Sequence, residues 1–226
     1  MNSATSPDAT TRPPDLFVTG AALQQRHAAP DLSTESAALC ELTQVLAEDP
    51  NLAVRHLLEM ARHLCGAGSA GFSVLRQDPE GLAFVRWDAV SGALADYEGT
   101  EAPRISSPCG LCLDTGSTMV VSRPERAFDW MKDIPPAIVE YLVVPLTDRM
   151  KKTLGTLWVA HHDRTSFFCR DDARVAEQLA AHLVLALRLL EHASERRHTL
   201  AVFESLHRAQ QSLLAHDLYQ ERSLRD

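Results

Sequence analysis

Two cysteines, Cys109 and Cys112, stand three residues apart in the segment ISSPCGLCLDTGSTMVV, which begins at Ile105. Pro108 precedes the first cysteine and Gly110 follows it. Such a pair can form half of a zinc site, act as a redox-active dithiol, attach a cofactor, or pack as two small apolar side chains. Which of these four roles applies depends on the residues elsewhere in the sequence that could act together with the two cysteines.

A zinc site needs four ligands, usually two cysteine pairs or one pair with histidines. The nearest histidines in the pattern are His161 and His162, at the end of a predicted strand. Because neighbouring strand residues point to opposite faces, only one of them could join the cysteines, and Cys169 would have to complete the set. We therefore expect no metal site.

Composition and charge limit the partners and the compartment. The chain has 226 residues, of which 45% are hydrophobic, and a formal net charge of -8. An acidic protein lacks the basic face that nucleic acid or an anionic membrane requires, so we expect neither as a partner. The sequence has no apolar run of membrane-spanning length and no secretory signal. Its five cysteines are scattered rather than arranged as a disulfide framework, which is typical of a reduced, cytoplasmic protein.

Hydrophobic periodicity predicts the order of the elements. Residues 1–30 are rich in Thr, Ser, Pro and Ala and are expected to be a disordered leader. Two amphipathic helices follow within residues 31–65, and residues 70–92 then alternate as a β-hairpin. The cysteine segment reads as a loop that enters a short strand, residues 117–122.

Residues 135–161 predict a second hairpin. Its first half reads as a short helical start followed by a strand that ends at Pro145, and RMKK forms the turn. The segment TLGTLWVAHHD is apolar on both faces, which indicates a central strand. The fold class is therefore α+β, with an antiparallel sheet of five to six strands flanked by helices.

A helical pattern runs from Asp171 almost to the end of the chain, about fifty residues, which is long for a globular helix. An apolar stripe steps along it by four and three residues, as in a coiled coil: Leu179, Leu183, Ala186, Leu190 and Ala193. Because a second copy of the chain would cover such a stripe, we predict a homodimer, with residues 191–226 as a helical extension for signalling and dimerisation.

Several motifs carry a resemblance to a known family. They are Ser-Pro-Cys-Gly at 107–110, Leu-Asp at 113–114, Arg-Pro-Glu-Arg at 123–126, and the segments VEYLVVPL, GTLWVAHHD and FFCRDDARVAEQLAAHLVLAL. Over about residues 35–190 the chain resembles GAF domains, most closely the GAF modules of bacterial sensor histidine kinases. The resemblance implies that residues 31–190 form a GAF-like sensory domain.

The resemblance also implies a ligand pocket between the sheet and the cysteine segment. Aromatic side chains, a few polar groups and an arginine for an anionic guest would line it. The expected ligand-binding residues are Trp87, Arg104, Ser107, Cys109, Cys112, Phe128, Trp130, Tyr141 and His161. The ligand and any cofactor stay unidentified, since covalent bilin attachment in the light-sensing relatives uses a cysteine followed by histidine, and here Gly110 and Leu113 follow the two cysteines.

We expect a non-enzymatic sensory module of bacterial signal transduction that binds a small molecule and passes a change along a dimeric C-terminal helix. Its output partner would be a histidine kinase or another signalling protein, because the sequence shows no ATP-binding domain and no phosphoacceptor motif. Two alternatives stay open: a thiol-dependent reductase of the free methionine sulfoxide type, and a dimerisation scaffold that binds no ligand.

Overall fold

Two helices open the folded part of the chain. The computed structural model describes residues 17–18, 32–163 and 167–223. Helix α1 spans Leu32–Glu48 and helix α2 spans Pro50–Leu64. The Asp49 carboxylate accepts hydrogen bonds from the first free N–H groups of α2, which separates the two helices. The predicted disordered leader lies outside the described residues, apart from strand β1, Phe17–Val18.

A seven-stranded antiparallel sheet follows, in the order β1-β5-β6-β7-β2-β3-β4. Its further strands are β2 Ser69–Gln77, β3 Ala83–Gly92, β4 Glu101–Pro103, β5 Met119–Ser122, β6 Glu140–Thr147 and β7 Thr153–His161. The α+β prediction is confirmed, since six strands of three residues or more and one two-residue edge strand form the sheet. Strand β7 is central, as its apolar character on both faces predicted.

The second hairpin differs from the sequence prediction in two details. The residues before Glu140 are not helical, because the consecutive prolines Pro135 and Pro136 disfavour helical backbone in the residue before each. Strand β6 continues through Pro145 to Thr147, where we predicted its end. Strand β5 pairs only with residues 140–143, so β6 has a neighbour on one side alone at Pro145, and a proline is tolerated there.

Helix α4 runs without interruption through Arg170–Ser223. The chain divides into two compact bodies, and Ala186 is the last residue of the first. Leu179, Leu183 and Ala186 are buried in the first body, so this part of the predicted coiled-coil stripe belongs to the protein's own core. Core packing and coiled-coil pairing use the same helical spacing, which is why the sequence could not separate them. Among the helices described, none is both long and apolar enough to cross a membrane.

A partly buried ion pair ties α1 to the start of α4. Both terminal nitrogens of the Arg174 guanidinium lie 2.9 Å from the two carboxylate oxygens of Glu35. Glu35 is buried, and the pair joins residues 139 positions apart. A planar guanidinium fork matches a carboxylate in a way that a lysine ammonium does not.

Arg174→Lys should therefore destabilise the protein by about 1 kcal/mol, because one of two charge-assisted hydrogen bonds on a buried carboxylate is lost. Urea unfolding followed by circular dichroism measures this change. Arg62→Lys is the matched control, since Arg62 pairs with Glu59 three residues earlier on the exposed face of α2 and should change stability little. Equal effects of the two substitutions would contradict a special role for the Glu35 pair.

Candidate functional site

The cysteine segment forms a helix, not the predicted loop. Helix α3 spans Pro108–Thr115, and the Ser107 hydroxyl caps it by accepting a hydrogen bond from the Gly110 N–H at 2.9 Å. Pro108 occupies the first helical turn, and Gly116 ends the helix with φ 62. Serine, then proline, then a later glycine is the usual signature of a helix start and stop, so the sequence did contain the signal.

Helix α3 places both cysteines against one face of the sheet. The Cys109 sulfur lies 3.4 Å from the Ser73 hydroxyl on β2 and 3.8 Å from the Tyr141 hydroxyl on β6. The Cys112 thiol donates to the Val143 carbonyl at 3.7 Å. The predicted proximity of the cysteine segment to the sheet is therefore present in the structure.

A cluster of contacting aromatic rings packs beneath α3. The Trp158 ring lies at the centre, with its centroid 5.2 Å from that of Tyr141 and 4.7 Å from that of Trp87. Trp130 meets the edge of Trp87 at 6.0 Å, and its indole N–H donates to the Ser106 carbonyl. Phe128 is buried in the same cluster. The sequence prediction missed Trp158, although it lies on the strand that we had identified as central.

Two of the polar residues predicted for the site have structural partners elsewhere. Ser107 caps α3, and Arg104 forms an ion pair with the exposed carboxylate of Asp114. Arg123 and Arg126 are exposed. Arg104, which we expected to hold an anionic ligand, thus pairs with an acidic residue instead.

His161 lies on the opposite face of the sheet from the other predicted site residues. Its neighbour Ala160 pairs with Tyr141 and belongs to the core beneath α3, so the side chain of His161 points the other way. There its ring stacks on Phe168 with centroids 4.1 Å apart. Burial lowers the pKa of His161. His161 is therefore outside the cluster that faces the cysteine helix.

Two buried polar atoms on β7 form no hydrogen bond of normal geometry with the described residues. They are the Thr156 hydroxyl oxygen and the Trp158 indole nitrogen, and both residues are fully buried. Both stand on β7 two positions apart, hence on the same face, and Thr156 pairs in register with Ser73. An unsatisfied buried polar group costs about 1–3 kcal/mol. We call Ser73, Cys109, Tyr141, Thr156 and Trp158 the α3 site.

The acidic groups of the α3 site are held in their neutral forms. Burial raises the pKa of the Cys109 thiol, and the nearby hydroxyls of Ser73, Thr156 and Tyr141 act in the opposite direction. Burial also raises the pKa of the Cys112 thiol and of the Tyr141 phenol. Both cysteines are therefore thiols rather than thiolates at neutral pH.

The part of the chain that the structure describes holds no group of three His, Cys, Asp or Glu side chains able to bind a metal. His162, which we had considered as a zinc ligand, contacts the Ser69 hydroxyl with its Nε2 at 2.8 Å and the Ala137 carbonyl with its Nδ1 at 3.1 Å. Both ring nitrogens of His162 thus already have hydrogen-bonding partners within the protein.

Comparisons with known proteins agree on one fold. Residues 47–188 match the family model described as GAF domain. The GAF domain of a phosphoenolpyruvate-protein phosphotransferase from Coxiella burnetii is 13% identical, with a TM-score of 0.62, over 73% of this chain and 99% of that one. The GAF-B domain of DevS from Mycobacterium smegmatis is 19% identical, with a TM-score of 0.51, over 66% and 99%.

A third similar structure is an enzyme. The free methionine-R-sulfoxide reductase from Neisseria meningitidis, solved in complex with its substrate, is 21% identical, with a TM-score of 0.53, over 74% of this chain and 96% of that one. At such identities these structures show the fold alone. Among curated proteins, none matches the sequence.

The position of α3 depends on the absence of a side chain at Gly110. A Cβ atom there would lie 1.7 Å from the Arg104 carbonyl oxygen, so Gly110→Ala must push α3 away from the preceding turn. We expect a loss of about 3 kcal/mol in urea unfolding and an altered tryptophan emission spectrum. Gly116→Ala, which meets open space but keeps φ 62, should cost only about 1 kcal/mol and leave the emission unchanged. Equal behaviour of the two variants would refute the close contact at Gly110.

Proposed function

The chain belongs to the GAF domain family, and from that premise we propose that it is a non-enzymatic sensory module of bacterial signal transduction. It binds a small molecule at the α3 site and passes the change along a dimeric C-terminal helix to a histidine kinase or another output partner. We expect it in the cytoplasm, where thiols stay reduced, in keeping with its five free cysteines.

The observation that carries this proposal is the pair of unpartnered polar atoms beneath α3. Buried polar groups in folded proteins are nearly always hydrogen-bonded, so an exception calls for a guest molecule or an ordered water. The Thr156 hydroxyl and the Trp158 indole N–H lie in an otherwise apolar and aromatic cluster. An apolar enclosure with a few polar groups is the usual character of a small-molecule site.

A buried carboxylate supports the coupling of the site to α4. Glu140 precedes Tyr141 on β6 and points to the opposite face, where it accepts hydrogen bonds from the Ser122 hydroxyl at 3.1 Å and from the Phe168 N–H at 2.9 Å. Phe168 lies two residues before α4 begins. A shift of β6 at the α3 site would therefore move the residues that hold the start of α4.

Exposed apolar side chains on α4 support dimerisation. Leu185 and Leu189 are exposed one turn apart, and Leu200 and Phe203 are exposed further along. The spacing of each pair suits helix–helix packing against a second copy of the chain. We propose that these four residues form the dimer contact in place of Leu179, Leu183 and Ala186, which are buried in the protein's own core.

The two rival functions meet specific objections. A reductase needs an activated thiolate, whereas Cys109 and Cys112 are buried thiols of raised pKa. A ligand-free scaffold agrees with the tight stacking of Trp158 on its neighbours. A scaffold without a ligand, however, leaves the buried polar groups of Thr156 and Trp158 without partners, whereas a bound ligand could supply them.

Native mass spectrometry tests the proposal directly. We expect a species of twice the 24.9 kDa chain mass that carries a retained small molecule. The double variant Leu200→Glu and Phe203→Glu should yield a monomer that keeps the retained molecule, because charges on the exposed helix face oppose pairing. Leu82→Glu, at an exposed leucine in the β2–β3 turn, is the control and should stay dimeric. A monomeric wild type without a retained molecule at high protein concentration would refute both parts.

Thiol labelling separates the sensory and reductase functions. Native protein should react quickly with iodoacetamide at Cys40 alone, since the other four cysteines are buried, and all five should react after unfolding. Peptide mass spectrometry over a time course gives the rate at each cysteine. Fast labelling of Cys109 at neutral pH, with turnover of free methionine sulfoxide, would instead establish the reductase.

A further inference from the structure

The polar groups of the α3 site define the chemistry of its guest. Resting on the function proposed above, we infer that the ligand is a small, uncharged molecule with a hydrogen-bond acceptor of the carbonyl or amide type, held by the Trp158 indole N–H and the Thr156 hydroxyl.

The absence of charge beneath α3 excludes an ionic guest. Among the described buried residues, Glu35, Glu140 and His161 are the carboxylates and imidazoles, while the buried cysteines and Tyr141 stay neutral because burial raises their pKa. The Arg104 guanidinium, which precedes α3, is paired with Asp114. Glu35 pairs with Arg174 on α4, while Glu140 and His161 stand on the opposite face of the sheet. An ion without a counter-charge in a buried site is strongly disfavoured, so the guest must be neutral.

The two unpartnered groups fix the hydrogen-bonding character of the guest. An indole N–H only donates, so the guest must present an acceptor to Trp158. A hydroxyl donates or accepts, so Thr156 can donate to a carbonyl oxygen or accept from an amide N–H. Because Thr156 and Trp158 are two positions apart on β7, their side chains share one face and their backbones lie about 7 Å apart, so an amide-sized guest can lie between them.

The packing around these groups limits the size of the guest. Trp158 is fully buried between two ring neighbours, Trp87 and Tyr141, and Thr156 is fully buried opposite Ser73. A large guest would have to displace a stacked tryptophan or α3 itself. A molecule of few heavy atoms requires the least displacement of these side chains.

Nitrogen-15 NMR of the full chain tests this inference, because the sequence contains only three tryptophans and hence three indole N–H signals. Trp87→Phe and Trp130→Phe variants assign the signals. The probes are acetamide, acetate and methylammonium, which are similar in size and differ in charge. We expect acetamide to move the Trp158 signal downfield in a saturable way, and the two ions to leave it unchanged. The Trp130 signal is the internal reference, since its N–H is already bonded to Ser106.

Two matched variants identify the role of the Thr156 hydroxyl. Thr156→Val keeps the shape but removes the hydroxyl, and should weaken acetamide binding about tenfold, as loss of one buried hydrogen bond does. Thr156→Ser restores the hydroxyl and should recover most of the affinity. Unchanged affinity in Thr156→Val, with the fold intact by circular dichroism, would overturn the assignment.

The remaining outcomes separate this inference from the proposed function. A Trp158 shift with acetate or methylammonium equal to that with acetamide overturns the ligand class but leaves a sensory site. If no probe moves the signal, the molecule retained in the native mass spectrum decides: an uncharged one supports the inference and an ionic one refutes it. No shift and no retained molecule would refute the ligand class and the sensory site together.

Discussion

The alternation of side chains along β6 and β7 is the constraint on which the rest of this structure depends. Tyr141 and Ala160 face α3, while their neighbours Glu140 and His161 face the residues that lead into α4. Two adjacent strand residues therefore belong to two different environments, one aromatic and one polar. A displacement of these strands changes the environment on both faces, and in the proposed function this is how the sheet would connect the α3 site to the start of α4.

Burial decides the chemistry of the α3 site more than residue identity does. In the sequence alone, two cysteines separated by two residues suggest metal or redox chemistry. Because both side chains are buried away from water, they are neutral thiols. The free-energy cost of burying a thiolate exceeds the stabilisation that the nearby hydroxyls provide. The same exclusion of water makes the unpartnered groups of Thr156 and Trp158 costly, and in the proposed function this cost is what a small neutral guest would relieve.

Much of the fold could be predicted from the sequence, whereas the site could be predicted only in part. The first hairpin and β7 were identified because their apolar residues alternate or run on both faces, a local signal. Helix α3 was read as a loop, since its cap residues Ser107 and Gly116 flank only eight helical residues and the cysteines drew the interpretation toward chemistry. Trp158 was taken for plain strand core, because its lack of a hydrogen-bond partner is a property of the three-dimensional packing. The positions of Arg104 and His161 likewise depend on long-range pairing, which no local pattern reports.

The energies available at the site limit how the signal can work. One or two buried hydrogen bonds supply about 1–3 kcal/mol each, and a ligand can shift a conformational equilibrium only by its difference in affinity for the two states. The proposed function therefore requires two arrangements of α4 that differ by no more than a few kcal/mol. Its residues 192–205 are all exposed, so within the described chain little packing fixes this stretch. An isolated helix gains most of its stability from tertiary packing rather than from its own backbone. In the proposed dimer, a modest change at Glu140 and Phe168 would then be enough to alter how two copies pair.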